Sequence, residues 1–270
     1  MMRAGKDLIV FDNMNIHDRL GYKPVGHVTI KIPGTDIVLF KGYNKVILPG
    51  SGFTARCHFD LPRDEITPSY NAKLGLENTV NETPSASTKE KVYLFCVGTD
   101  GCGTENSDIY TVNYNKWLAP DNMVPFRHVP VTEDISADDR TIYYGRLVKN
   151  GMASYYFKTF ENSIPTLHQK YADGTVVTSN VYDLNKADEI STYVELKLKV
   201  GEDDCKEWFN STVGINNAKI NTICLCTAWP KVINGQIYYQ DIRPLTKYNM
   251  SNENLIELSK GLDITYHIYY

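Results

Sequence analysis

Residues 262–270 constrain the fold more than any other stretch of this chain. Leu262, Ile264, Tyr266 and Ile268 alternate with Asp263, Thr265 and His267, and the run closes on Tyr269 and Tyr270. Alternation of period two describes a strand with one buried face, yet chain ends fray unless something pairs with them. The run is therefore expected to enter a sheet, either of this chain or of a neighbouring subunit. That expectation makes Tyr266, Ile268, Tyr269 and Tyr270 candidate interface residues. Upstream of it, 237–239 reads as strand, and 251–260 reads as a short helix closed by Gly261.

Further strand patterns recur along the chain. Residues 25–32 alternate and end at Pro33-Gly34. Residues 37–40 are expected to form a hairpin with 45–48 across Gly42-Tyr43-Asn44. Residues 91–97 form an unbroken apolar run, the pattern of a strand buried on both faces. Asn150-Gly151 predicts a tight hairpin between 141–148 and 152–160. Ser191–Val200 alternates along its length, so one face is wet, and 219–227 is another strand. Short helices are expected at 51–59, capped by Ser51, and at 202–210. Residues 117–130 read as a proline-punctuated connector. No strand–helix–strand alternation implies a parallel sheet. The expected class is mainly β: one antiparallel, sandwich-like domain over 25–270, with two or three short helices. Residues 1–24 form an N-terminal arm, and 77–90, rich in Asn, Thr, Ser, Pro and Glu, a long exposed loop. Uneven strand lengths and long connections favour a sandwich over a closed barrel.

Bulk properties remove several function classes. A 270-residue chain with 42% hydrophobic and 22% charged residues is ordinary for a folded domain. A net charge of −4 argues against nucleic acid as the main partner. No apolar run reaches membrane-spanning length, and residues 1–7 lack the apolar core of a secretory signal, so synthesis in the cytoplasm is expected. Tyrosine is abundant, 19 copies against nine Phe and three Trp. Tyrosine suits both strands and protein interfaces.

The motifs of known chemistries are weak here. Gly98-Thr99-Asp100-Gly101-Cys102-Gly103 is glycine-rich, but Thr104-Glu105 follows where a phosphate loop needs Lys-Ser or Lys-Thr. Cys57, Cys96, Cys102, Cys205, Cys224 and Cys226 lie mostly among apolar neighbours and read as reduced, buried thiols. Cys224 and Cys226 point to one face of their strand, yet no second ligand pair accompanies them as zinc sites require. Cys96 and Cys102 are close enough in sequence to meet across the glycine turn. The six histidines share no metal-binding spacing, and the acid pairs Asp138-Asp139 and Asp203-Asp204 are explained by helix or turn capping. No catalytic residue, metal ligand or cofactor site is assigned on these grounds.

Several segments, in order, carry a resemblance. Residues 40–52 contain Asn44-Lys45-Val46-Ile47-Leu48-Pro49-Gly50-Ser51. Residues 92–103 join a strand to the glycine turn, and 155–161 and 262–270 add two further strands. Together they resemble virion structural proteins of large tailed bacteriophages. The resemblance implies a non-enzymatic subunit repeated in a ring at the neck, tail or baseplate of a virion. It also implies copies of itself and other virion proteins as partners, with no small-molecule substrate and no membrane. The competing expectation is a receptor- or glycan-binding fibre or decoration module displaying Trp117 or Trp229. A tail-associated hydrolase using two carboxylates is a third.

Overall fold

A computed structural model describes residues 25–43, 45–46, 74–76, 90–99, 123–160, 166–171, 173–178, 191–214, 216, 218–249, 256–257 and 261–269. The strands are β1 (Val25–Lys31), β2 (Val38–Tyr43), β3 (Lys45–Val46), β4 (Lys91–Gly98), β5 (Met123–Val124), β6 (Arg127–Pro130), β7 (Tyr143–Lys149) and β8 (Met152–Thr159). They continue with β9 (Thr166–Lys170), β10 (Val176–Val177), β11 (Ser191–Val200), β12 (Lys219–Ile220), β13 (Thr222–Ile233), β14 (Gln236–Asn249), β15 (Ile256–Glu257) and β16 (Leu262–Tyr269). One α-helix, α1 (Lys206–Thr212), and two 3-10 turns, Val131–Glu133 and Asp139–Thr141, complete the described elements.

Every described strand pairing is antiparallel. The first sheet runs β10-β9-β11-β16-β1-β2, and the second runs β3-β14-β13-β4-β8-β6, with β5 on β4 and β7 on β8. The two sheets face each other across one apolar layer. The first sheet supplies Val28, Ile30, Leu196, Leu198, Ile264 and Tyr266 to it; the second supplies Phe95, Val97, Ile223, Leu225 and Tyr248. Ring packing of Phe40 on Tyr248, 5.0 Å between centroids, ties β2 to β14 across the layer. The Tyr266 and Thr246 hydroxyls meet at 2.7 Å in the same layer. The other face of the second sheet holds a separate cluster of Leu94, Cys96, Phe157, Cys224, Cys226 and Ile242, packed with Leu74 and Leu76.

The closing strand is paired on both sides. β16 sits between β1 and β11, with Ile264 opposite both Ile30 and Leu198. Its apolar residues therefore serve the core of this chain: Tyr266 and Ile268 are buried in the inter-sheet layer. That burial leaves these two side chains no surface to offer a partner, which corrects the interface expected from the sequence. The side chain of Tyr269 and the whole of Tyr270 lie outside the described residues, as do 1–24, the helix at 51–59, 77–89 of the expected loop, and Cys57 and Cys102.

Other expectations hold or shift for physical reasons. The run 91–97 is β4, and the 149–152 hairpin forms with Asn150 and Gly151 both at positive φ, as a two-residue primed turn requires. β2 pairs with β1 across the Pro33-Gly34 turn, where the Ile32 amide donates to the Ile37 carbonyl at 3.2 Å, and of the expected partner 45–48 only 45–46 lies among the described residues. β3 pairs with β14, so β2 and β3 belong to different sheets. Within the supposed connector at 117–130, β5 and β6 are strands; Pro125 stands between them and Pro130 ends β6, where a missing amide is tolerated. Ile256–Glu257, expected within a helix, pairs as a strand with Lys219–Ile220.

Gly145 and Gly151 both lie at positive φ, but only at Gly145 does an added Cβ strike a neighbour, the Phe157 ring. Left-handed backbone costs about 1–2 kcal/mol for an L-residue, and overpacking adds about 1–3 kcal/mol. Gly145→Ala is therefore expected to destabilise the fold by more than Gly151→Ala does. The difference in urea midpoints of the two variants measures the clash.

Candidate functional site

The β11–α1 turn holds the most deeply buried charge among the described residues. Asp204 and Lys158 side chains are 1% and 2% exposed, and their charged atoms meet at 2.7 Å. The Lys158 ammonium also donates to the Lys199 carbonyl at 2.9 Å. The Asp204 carboxylate accepts from the Tyr143 hydroxyl at 2.7 Å and from the Gly201 amide at 2.8 Å. The Arg127 guanidinium lies 4.7 Å from the Tyr143 ring centroid, in cation–π range. Burial first, then the Asp204 charge, pushes the Tyr143 phenol far above its ordinary value, so it stays a donor. Asp204 is thus no helix cap: Cys205 occupies the cap position at φ 64 with no side-chain cap bond. The network joins β6, β7 and β8 of the second sheet to the chain leaving the first. Its partners come from β7, β8, the end of β11 and the β11–α1 turn, so it clamps the two sheets together.

A more open site lies at the outer end of β7. A cavity of about 200 Å³ is lined by Asp134, Arg140, Tyr144, Arg146, Tyr238 and Tyr239, among others. The Asp134 carboxylate accepts from the Tyr155 hydroxyl at 2.6 Å and pairs with Arg146 at 3.1 Å and Arg140 at 3.4 Å. Burial pushes the Asp134 carboxyl up, but the Tyr155 hydroxyl, the Ile135 amide and both guanidiniums outweigh it and hold it below its ordinary value. Two arginines against one carboxylate leave the wall with a net positive charge. Tyr239 packs edge-on against Tyr144 at 4.7 Å and tilts on Tyr93 at 5.1 Å, giving an aromatic floor. Sequence reasoning missed this site because its residues come from four separated segments. The one readable signal was Asn234-Gly235, both at positive φ, which turns β13 into β14 and delivers Tyr238 and Tyr239.

The outward face of the first sheet carries a row of rings. His168 stacks on Tyr193 at 5.0 Å, Tyr193 lies 4.7 Å from His267, and His267 stands opposite His27. The Glu195 carboxylate accepts from His267 Nε2 at 3.0 Å. Burial, then the charges of Lys41 and His267, lowers His27 and favours its neutral form.

The remaining sequence candidates separate. Trp229 is half-buried on β13 opposite Gln240, whereas Trp117 lies outside the described residues. Of the cysteines, Cys96, Cys205, Cys224 and Cys226 are free and buried, as expected. The structure brings Cys96 to the Cys224–Cys226 pair, a third thiol that linear spacing could not supply. Asp138 makes no side-chain cap; Ser136 Oγ accepts from the Asp139 amide in its place. No protein-family model, curated protein or solved structure matches this chain.

Removing one partner of a buried ion pair leaves the other uncompensated, at a cost of about 3–5 kcal/mol. Asp204→Ala is expected to destabilise the protein by that amount in urea unfolding. The double variant Asp204→Ala with Lys158→Met is expected to lose less than the sum of the two single variants, which a double-mutant cycle reads directly.

Proposed function

We propose that this protein is a non-enzymatic structural subunit of a tailed-phage virion, acting through contacts with copies of itself and with other virion proteins. The observation that carries this reading is the exposed apolar edge formed by the β1–β2 hairpin. Ile37, Val38 and Leu39 are 57%, 47% and 40% exposed in succession. Ile37 leads into β2 and Val38 and Leu39 open it; β2 ends the first sheet and among the described residues pairs only with β1. An exposed apolar edge strand is a template for pairing with another chain, and monomeric proteins normally blunt such edges. The resemblance of 40–52, 92–103, 155–161 and 262–270 to virion proteins gives the setting. A head-to-tail contact through this edge closes into a ring when its rotation permits.

Light scattering of the purified chain, with electron microscopy of the particles formed, tests this reading. A defined oligomer that Val38→Lys converts to monomer, without a change in melting temperature, is the expected result. A monomer at all concentrations, unaffected by Val38→Lys and absent from any particle, would overturn it.

The tyrosine-floored cavity favours a second reading, an acidic-glycan-binding module. Aromatic rings stack on sugar faces, and Arg140 and Arg146 suit a carboxylate-bearing sugar. Titration with sialic-acid and uronic-acid oligosaccharides is expected to shift the Tyr239 environment, with binding reduced at least tenfold in Tyr239→Ala. Equal binding by wild type and Tyr239→Ala, or none by either, would exclude the cavity.

A further inference from the structure

We propose that Cys96, Cys224 and Cys226 bind a zinc ion as a buried three-thiolate site whose charge is balanced by Lys247. The three residues come from neighbouring antiparallel strands. Cys96 on β4 stands directly opposite Cys224 on β13, and Cys226 is two residues further along, on the same face. All three sulfurs lie within 4.8 Å of one another. The Cys96 and Cys226 sulfurs are 3.8 Å apart. Zinc–sulfur bonds of about 2.3 Å in a tetrahedron place sulfurs about 3.8 Å apart, so this pair already stands at ligand spacing. The Cys224 sulfur lies within 4.8 Å of both.

The donor set selects the cation. Thiolates favour soft or borderline metals such as zinc and copper(I) over magnesium or calcium. Charge then separates the two. Three thiols release three protons on binding, so zinc(II) leaves the site at −1 and copper(I) leaves it at −2. A net charge in an apolar cluster is costly unless paired. Lys247 is 7% exposed, stands opposite Cys224 on β14, and brings one positive charge to this face. Its charge acts on Cys96 in the direction that favours thiolate, although burial holds both Cys96 and Cys226 as neutral thiols in the metal-free chain. Uptake must therefore displace protons, and affinity rises with pH. Three protein ligands leave one tetrahedral position for a further donor.

The test is metal analysis of the full-length chain purified without chelator, followed by refolding with cadmium as a spectroscopic stand-in for zinc. A single equivalent of zinc is expected. In the cadmium form, a thiolate-to-metal charge-transfer band of three-thiolate intensity is expected. Both should vanish in Cys96→Ser and in Cys226→Ala, and survive in Cys205→Ser, whose thiol lies in the other apolar cluster. Should Cys96→Ser fail to fold, Cys226→Ala carries the same comparison. Absence of metal and of the band in wild type, with all six thiols titrating after unfolding, would overturn the proposal. So would a Cys96–Cys226 disulfide in the chain as purified, or a band that persists in both variants.

Discussion

The sandwich depends on a salt bridge that has almost no access to water. Lys158 on β8 and Asp204 in the β11–α1 turn belong to opposite sheets' continuations, and their 2.7 Å contact fixes how the chain leaves the first sheet and lies against the second. A buried ion pair is weak evidence for stability, because desolvation offsets much of the attraction. Its strength here is geometric. Tyr143, Gly201 and the Lys199 carbonyl satisfy the remaining donors and acceptors, so the pair tolerates only one relative placement of β7, β8 and the turn. Hydrophobic contacts between two flat faces permit sliding, and a directional network of this kind does not.

Because both faces of the second sheet are covered, its central strands lose the usual alternation. Thr222 to Ala228 on β13 is buried residue after residue, as is Leu94 to Gly98 on β4. One face goes to the inter-sheet layer and the other to the cluster that holds Cys96, Cys224 and Cys226. The first sheet behaves differently. On β11, Leu196, Leu198 and Val200 turn inward while Lys197 and Lys199 meet solvent, and its outward face carries the His168–Tyr193–His267–His27 row. The two sheets thus divide labour: one is a buried frame, the other keeps a solvated surface.

That division explains what could be read from the sequence. β4, β11 and the β7–β8 hairpin were legible because a local pattern determines each one: a continuous apolar run, a strict alternation, an Asn-Gly turn. The partner of β2 was not, since turn residues stand on both sides of it, at Pro33-Gly34 and at Gly42-Tyr43-Asn44, and local sequence does not rank them. Asp204 looked like a cap because acids beside a helix start usually are caps; only its burial against Lys158, 46 residues away in sequence, gives its role. The same limit hid the third thiol. Cys96 and Cys226 are 130 residues apart, and their meeting depends on the β4–β13 register, which no spacing rule encodes. Burial of Tyr266 and Ile268 was hidden for a related reason: the alternation of 262–270 predicts a paired strand but not whose sheet it joins, and it lies in the middle of this chain's own first sheet.

The proposed surfaces and the proposed metal site act on different parts of this architecture. The exposed edge of β2 belongs to the first sheet, whereas the cavity and the thiol cluster belong to the second. Pairing of another chain at β2 would extend the first sheet without touching β4 or β13. Metal at the three thiols would cross-link β4 to β13, which their backbone ladder already joins, so it would stiffen the frame and leave the edge unchanged. The cavity stands between these cases. Its floor residue Tyr144 packs in the same cluster as Cys96 and Phe157, and its neighbour Tyr143 carries the clamp to Asp204. A ligand seated on Tyr144 and Tyr239 would therefore rest on side chains already held by the core, where little ordering remains to oppose binding.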